Sequence, residues 1–264
     1  MYEVRYHRPA SLAEAIGMFS PDARFVSGGQ TLIPAMKQRL AAPSDVIDIA
    51  RLPELRGIAA SGGGVSIGAA MTHAEVEASE VVRKSIPALA ELAGTIGDPA
   101  VRHLGTLGGS LANNDPAADY PAAVLALGGT VRTDRRAIAA DAFFGGLFAT
   151  ALADGEVIVG VDFPAPEKAA YAKFRNPASR YAMAGVFVAR LKDGAVRVAV
   201  TGAGDNGVFR SADIEAALSA SWSPGAVEGV TVDPAGMLSD IHGSGPYRAN
   251  LVKVMAKRAL ARIA

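Results

Sequence analysis

The chain has 264 residues, half of them apolar and a fifth charged, which is the balance of a globular protein with ample material for a core. Its 26 lysines and arginines equal its 26 aspartates and glutamates, so net charge gives no general attraction for nucleic acid or an anionic membrane. Because cysteine is absent, the chain holds no disulfide, thiolate zinc site, cysteine nucleophile or cysteine-ligated iron–sulfur cluster.

Metal sites and membrane segments also find no support in the sequence. The four histidines show none of the spacings typical of metal sites, and the N-terminus has no apolar segment of the kind found in secretory signals. The longest uncharged apolar stretch, residues 142–153, is far shorter than the ~20 residues of a membrane span. We therefore expect no metal, no transmembrane segment and a cytoplasmic location.

The first fifty residues alternate between helical and strand patterns. Ser11 and Glu14 have the spacing of a capping box, which predicts a short helix. A short strand at 24–26, a helix at 32–40 and a second strand at 46–49 follow. This order predicts a β-α-β unit with a parallel strand pair and a right-handed crossover.

The middle of the chain contains further strands and helices, and then a proline-rich break. A second capping box, Thr72 with Glu75, opens a helical pattern that continues to Ala93. The paired prolines in 164–168 predict a boundary between two compact pieces. The other predicted elements are strands at 65–68, 129–133, 157–163, 185–190 and 196–201, and helices at 122–127, from Ser211 and from about Tyr247.

The first glycine segment is Ser27-Gly28-Gly29-Gln30-Thr31, which lies between a strand and a helix. We expect Thr31 to cap that helix and leave main-chain N–H groups facing outward. Two glycines allow an anion to approach the main chain without a Cβ in the way. Phosphate oxygens are the usual occupants of such a site.

A second glycine segment, Gly105-Thr106-Leu107-Gly108-Gly109-Ser110, precedes a polar stretch at 113–119. A single Gly-Gly pair is more often only a tight turn, because tight turns need glycine for conformational reasons. Two similar segments within one domain favour a clamp on the diphosphate of a dinucleotide.

Residues 202–207 match the G-x-G-x-x-G pattern of dinucleotide-binding folds and follow a predicted strand. In that fingerprint the helix begins at the glycines, whereas here the helix is predicted to begin only at Ser211. The match is therefore interpreted as a turn rather than a nucleotide site.

Three stretches of the chain together resemble a known family. They are the run from Thr95 to Ser110 with its continuation Asp115-Pro116-Ala117-Ala118-Asp119, the first glycine segment, and Tyr247-Arg248 near the end. The sequence is similar along essentially its whole length to the medium, FAD-binding subunit of molybdenum hydroxylases. That family includes enzymes of the carbon monoxide dehydrogenase and xanthine dehydrogenase types.

The resemblance implies an α+β fold. It consists of a two-subdomain FAD-binding domain of the vanillyl-alcohol oxidase (PCMH) type and a small C-terminal α/β domain. On this chain the FAD-binding domain is expected at 1–165, with subdomains at 1–55 and 56–165, and the C-terminal domain at 167–264. FAD is expected to bind non-covalently, without a covalent link to His103.

The resemblance also implies the cofactor-binding residues, and no catalytic residue or metal ligand. Both glycine segments are expected to bind the FAD diphosphate, Asp119 and Ile96 to line the flavin site, and Ile158 and Lys173 to contact the isoalloxazine. The expected set is Phe25, Val26, Ser27, Gly28, Gly29, Gln30, Thr31, Leu32, Ile96, Thr106, Leu107, Gly108, Gly109, Ser110, Asp119, Ile158 and Lys173.

Such a subunit is expected to work with two partners: a large molybdopterin subunit and a small subunit with two [2Fe–2S] clusters. Electrons would pass from the clusters to FAD and on to an acceptor, and the family commonly forms dimers of heterotrimers. Two other functions stay open: a stand-alone flavin-dependent reductase or oxidase of the same fold, and a flavin-free scaffold subunit.

The sequence leaves the roles of several side chains open. Lys173 either reaches the flavin or is a solvated lysine, and Tyr181 either stacks on the flavin or packs in the core. Arg180 is a cation where the family often has an acid, which bears on the choice of electron acceptor. His73, in the first turn of a capped helix, is expected to be exposed and without a role.

Overall fold

The computed structural model describes residues 1–263, which form three larger β-sheets with helices packed against them and a small two-stranded sheet, 144–146 with 149–150. The N-terminal sheet has the strand order β1-β3-β2, and all its pairs are parallel. This agrees with the parallel β-α-β unit predicted from the alternation of patterns. Its elements are β1 (Arg5–His7), α1 (Leu12–Gly17), β2 (Ala23–Val26), α2 (Leu32–Lys37) and β3 (Asp45–Asp48).

The second sheet has five strands in the order β4-β5-β10-β6-β7, and every pair in it is antiparallel. Helices α3, α5, α7 and α8 pack with it around the largest apolar cluster of the chain. The elements are β4 (Ile58–Ser61), β5 (Gly64–Gly68), α3 (His73–Ala78), α4 (Glu80–Ser85), α5 (Pro87–Gly94), α6 (Pro99–Arg102), α7 (Leu107–Asn113), α8 (Tyr120–Ala126), β6 (Thr130–Thr133), β7 (Ala137–Ala139), α9 (Ala140–Phe143), β8 (Phe144–Gly146), β9 (Ala149–Thr150) and β10 (Ile158–Pro164).

The third sheet is a four-stranded antiparallel meander, β11-β12-β13-β14. Its strands are connected without crossover helices, so this part of the chain is α+β and the expected α/β class is wrong for it. Helices α10 and α11 cover one face, while α5 and α8 pack on the other. The elements are β11 (Lys168–Arg175), β12 (Ala182–Arg190), β13 (Val196–Thr201), β14 (Phe209–Arg210), α10 (Ala212–Ala220) and α11 (Gly245–Leu260).

Burial on both faces explains the sequence of β12. Eight consecutive residues, 182–189, are buried, and all but Gly185 carry apolar side chains. A strand covered on two sides reads as a continuous apolar run rather than an alternating one. The connection 165–167 leads from β10 into β11, so the third sheet begins immediately after the second ends.

Candidate functional site

A cavity of about 680 Å³ lies where the N-terminal sheet, the second sheet and the start of the third sheet meet. Its wall includes both glycine segments, the turn before α8, the start of β10, and two side chains from beyond residue 166. A volume of this size is in the range of sites for cofactors and other small molecules.

The first glycine segment offers a row of unused hydrogen-bond donors. From Ser27 to Leu32, six consecutive main-chain N–H groups donate to no acceptor among residues 1–263. All six residues border the cavity. Thr31 makes no side-chain cap bond, so the expected cap is wrong, and α2 is only six residues long. The donors therefore belong to the segment itself and owe little to a helix dipole.

Glycine is required at each position of this pair for a different structural reason. A Cβ on Gly28 would lie 2.1 Å from the carbonyl oxygen of Leu104 and 2.6 Å from Cα of Gly105, because the two glycine segments cross there. Gly29 has a φ of +67°, in the left-handed region that favours glycine. The pair thus combines a close crossing of two chain segments with a sharp turn.

The second glycine segment, expected to be a loop, contains the first turn of α7, which Thr106 caps. Five of its six N–H groups are already used: Gly105 donates to Val101, Leu107 to Met71, Gly108 to Ala69, Gly109 to Thr106 Oγ1 and Ser110 to the Thr106 carbonyl. Only the N–H of Thr106 lacks a partner in the part of the chain that the structure describes. This segment therefore lines the cavity but has only one free main-chain donor among its six N–H groups.

Packing accounts for the two glycines of this segment in different ways. A Cβ on Gly108 would lie 2.6 Å from Cβ of Ala69, so Gly108 is needed for close packing against the strand end. Gly109 is exposed, and a Cβ there would approach only the hydroxyl of Thr106, at 2.9 Å. The Thr106 hydroxyl also donates to Ser27 Oγ at 3.1 Å and so joins the two segments.

At another part of the cavity wall a lysine and an aspartate form a buried ion pair. Lys173 Nζ lies 2.9 Å from Asp119 Oδ2, and the two side chains are only 2% and 4% exposed. Nζ also donates to the carbonyl of Thr95 at 3.2 Å, and the hydroxyl of Tyr171 donates to Asp119 Oδ1. Burial and the Asp119 charge raise the pKa of Tyr171, so its hydroxyl remains a donor. The interpretation of Lys173 as a solvated lysine is wrong.

An ammonium group has three N–H donors, and two of those on Lys173 have acceptors in the protein. The third has none among the residues described, and Lys173 borders the cavity. A ligand with an acceptor atom at this end would complete the hydrogen bonding of the lysine.

Sixteen of the seventeen expected cofactor-binding residues border the cavity. The exception is Leu107, whose side chain is fully buried in the apolar core and whose N–H is bonded to Met71. Tyr181 is half-exposed at the cavity wall and does not pack in the core. Arg180, beside it, is exposed with a φ of +62° and is not part of the wall.

Sequence reasoning missed two polar side chains of the wall. His73 is only 5% exposed, contrary to expectation, and burial together with the nearby charge of Arg102 lowers its pKa to about 4. Glu156 accepts hydrogen bonds from Thr133, Arg136 and the N–H of Ala153, and its pKa is lowered to about 2, chiefly by Arg136. Glu156 lies in no recognisable motif, and the capping box around His73 indicates only the start of a helix, so neither was marked as part of the wall.

The G-x-G-x-x-G match at 202–207 is a turn after β13, followed by β14 and only then by α10. It lies outside the cavity wall, in agreement with its interpretation as a turn. Within residues 1–263 no three His, Asp or Glu side chains are grouped so as to hold a metal ion. Over the same range no helix is both long enough and apolar enough to cross a membrane.

Comparison with known proteins agrees with this geometry. Residues 2–166 match the model of a family described as the FAD binding domain in molybdopterin dehydrogenase. The chain is 38% identical to the nicotine 6-hydroxylase medium subunit of Paenarthrobacter nicotinovorans over 97% of its own length and 96% of the relative's. It is 34% identical to the carbon monoxide dehydrogenase medium chain of Hydrogenophaga pseudoflava, which covers 97% of this chain and 95% of that one.

Solved structures show the same likeness in three dimensions. A chain of carbon monoxide dehydrogenase from Hydrogenophaga pseudoflava superposes with a TM-score of 0.88, at 34% identity over 100% of this chain and 99% of that one. A chain of reconstituted CO dehydrogenase from Oligotropha carboxidovorans gives 0.90, at 30% identity over 99% and 97%. These relatives are components of oxidoreductases. The chain thus belongs to the FAD-binding medium subunits of the molybdenum hydroxylase family, an oxidoreductase family whose medium subunits take FAD as cofactor.

Proposed function

We propose that the cavity holds FAD non-covalently and that the chain is the electron-transfer subunit of a molybdenum hydroxylase. The observation that carries this proposal is the row of six free N–H donors from Ser27 to Leu32, all on the cavity wall. Four of these six residues are half-buried and Gln30 and Thr31 are exposed, so the free N–H groups are accessible to a ligand in the cavity. A bound diphosphate, with several anionic oxygens, supplies the acceptors that this segment lacks.

The two glycine segments would share the diphosphate unequally. The N–H groups of 27–32 would donate to its oxygens, while Gly109, whose Cβ position is open except toward Thr106, leaves room for it on the opposite wall. No lysine or arginine is required, because a row of main-chain donors compensates anionic charge locally. The remaining proposed contacts in these two segments are Phe25, Val26, Thr106, Gly108 and Ser110.

We propose that the isoalloxazine lies toward Lys173. Ile96 and Ile158 would provide apolar contact there, and the third N–H of Lys173 would donate to an acceptor of the ring system. Bound FAD supplies the redox chemistry, accepting and releasing electrons. Asp119 keeps the pair with Lys173 close to neutral overall, so the wall presents an oriented donor rather than a bare charge.

The architecture proposed with this function is an FAD-binding domain of the vanillyl-alcohol oxidase (PCMH) type at 1–165, with subdomains 1–55 and 56–165. Residues 167–264 form the proposed C-terminal domain. Electrons would enter from [2Fe–2S] clusters of a small subunit, reduced by a large molybdopterin subunit, and leave to an external acceptor. A dimer of such heterotrimers in the cytoplasm is the proposed assembly.

The test begins with the visible absorption spectrum of the purified chain before and after acid precipitation. Flavin bands near ~370 and ~450 nm that move to the supernatant as FAD support the proposal. Bands that remain with the pellet contradict non-covalent binding. A colourless chain that takes up no added FAD contradicts the flavin site and favours a scaffold subunit.

A matched pair of variants tests the location of the site. Gly109→Asp places a carboxylate at the open part of the wall, at a position in the first turn of α7 where an acid is compatible with the helix. It should abolish FAD binding while the chain stays folded. Gly229→Asp, at an exposed glycine with no atom within 4 Å of its Cβ position, is the control and should keep its flavin.

A further inference from the structure

The ring of His73 contributes to the cavity wall beside the second glycine segment. Its main-chain N–H donates to the carbonyl of Gly105, which fixes the start of α3 against that segment. A Cβ on Gly105 would lie 2.6 Å from Nε2, so the ring packs directly against the glycine main chain. Tyr120 packs on the other side, with ring centroids 5.3 Å apart.

Neither ring nitrogen of His73 has a hydrogen-bond partner among the residues that the structure describes. Nδ1 is fully enclosed, whereas Nε2 is not among the enclosed atoms and is the nitrogen that the cavity can reach. An enclosed N–H without an acceptor is rarer in proteins than an enclosed acceptor without a donor. The tautomer of lower free energy therefore leaves Nδ1 unprotonated and carries the hydrogen on Nε2.

Burial, together with the charges around the ring, keeps His73 uncharged. Arg102 lies close enough to oppose a positive imidazolium, and its own partner is Glu77 of the same helix as His73. Glu75 is bonded to Thr72 and Arg56, and the two oxygens of Asp119 are bonded to Lys173 and Tyr171. Burial is the main cause of the lowered pKa of His73 and the charge of Arg102 adds to it, so imidazole is the form present at neutral pH.

We infer that His73 is a positioning residue of the cofactor site and donates a hydrogen bond from Nε2 to an acceptor oxygen of bound FAD. The inference rests on the proposed function, because it takes FAD as the occupant of the cavity. It adds to the row of main-chain donors one side-chain donor that is neutral. The strength of this contact is therefore independent of pH over the range in which histidine usually titrates.

The test measures FAD dissociation constants of the full chain, from quenching of flavin fluorescence, for the parent and two variants. His73→Leu removes the donor and should weaken FAD binding by roughly ten- to a hundredfold, the effect of losing a hydrogen bond to an anionic oxygen. His73→Gln keeps an N–H near the same place and should bind within about threefold of the parent. Equal affinities for the parent and His73→Leu overturn the inference.

A control separates this contact from a loss of stability. Val76→Ala alters a fully buried residue of the same helix that does not border the cavity, and should lower the melting temperature while leaving the dissociation constant unchanged. If Val76→Ala weakens FAD binding as much as His73→Leu does, the effect belongs to the fold and the inference is wrong. A parent chain that binds no FAD at all contradicts the proposed function instead, so the two failures are distinguishable.

A pH series and the ring ¹⁵N shifts test the neutral donor. The dissociation constant should be flat from pH 6 to 8, and the spectrum should show hydrogen on Nε2 of an imidazole that does not titrate in that range. A dissociation constant that falls about tenfold for each pH unit toward acid would mean that FAD requires the imidazolium. That result, or hydrogen on Nδ1, overturns the inference.

Discussion

The two glycine segments share a Gly-Gly pair flanked by hydroxyl residues, and both border the cavity, yet their main chains are used in opposite ways. Between Ser27 and Leu32 all six N–H groups are free of acceptors within residues 1–263, whereas between Gly105 and Ser110 five of six are already bonded. The first segment thus has six main-chain N–H groups that are free to donate hydrogen bonds. The second segment is packed against neighbouring main chain and shapes the wall of the cavity.

The difference follows from what surrounds each pair. The second segment runs beside the end of β5, and its N–H groups find acceptors on Met71 and Ala69. The first segment leaves the edge of the N-terminal sheet and meets the crossing chain at Leu104, Gly105 and Thr106, where no carbonyl group accepts from its N–H groups. The same dipeptide therefore has free N–H groups in one segment and bonded ones in the other, depending on whether carbonyl groups lie opposite it.

The largest effect that the comparison predicts is at the crossing of the two segments. Gly28→Ala should lower the free energy of unfolding by about 3 kcal/mol, because the new Cβ meets main-chain atoms of Leu104 and Gly105 that cannot rotate away. Urea denaturation measures this. Gly17→Ala, where nothing lies within 4 Å of the Cβ position, is the control. A Gly28→Ala chain as stable as its control would show that the segments do not cross closely.

A second prediction concerns how the free energy of unfolding depends on pH through His73, which packs against the second segment. Because its pKa falls from 6.5 to about 4 on folding, the unfolded chain binds the proton more readily between those values. Stability is therefore complete above pH 6.5 and is lost as the pH falls toward 4. From pH 7 to pH 5 the parent should lose up to about 2 kcal/mol through this residue, and His73→Gln should lack that part of the loss. Equal losses in both chains would contradict burial of a neutral ring.

The smallest predicted effect is a difference in stability between variants of the two threonines that precede α2 and α7. Thr106 accepts from the N–H of Gly109 and donates to Ser27, so Thr106→Val should cost about 1 kcal/mol of stability. Thr31 makes no cap bond, so Thr31→Val should be close to neutral. Thermal unfolding of the two variants side by side measures the difference. Equal losses of stability in the two variants would mean that both threonines contribute to the packing of their segments.

The sequence predicted the family, the cofactor and seven of the fourteen strands formed by residues 1–263, because these depend on local patterns and on a long specific motif. The family and the cofactor are confirmed by the comparisons. It did not predict β11, whose alanine-rich sequence is a poor strand former and is held in place by pairing with β12. Strand pairing of this kind is a tertiary contact and leaves little mark on a single strand.

The details of the site were less accessible for the same reason. The burial of His73 depends on Gly105 and Tyr120, which lie far away in the chain, and the inward direction of Leu107 depends on the bond of its N–H to Met71. His73 was therefore misjudged from the sequence as exposed, and the burial of the Leu107 side chain was not foreseen. Which N–H groups remain free is likewise decided by partners that no local pattern identifies.

The buried pair of Lys173 and Asp119 has a practical consequence for engineering. The family model ends at Pro166, yet Lys173 lies beyond that point while Asp119 lies before it. A chimera that joins the first 166 residues of this chain to the rest of a relative would inherit the carboxylate from one parent and depend on the other for its cation. Without a matching lysine, the enclosed carboxylate would lose its counter-ion, a change that costs several kcal/mol. Exchange between medium subunits should therefore transfer β11 together with the turn before α8.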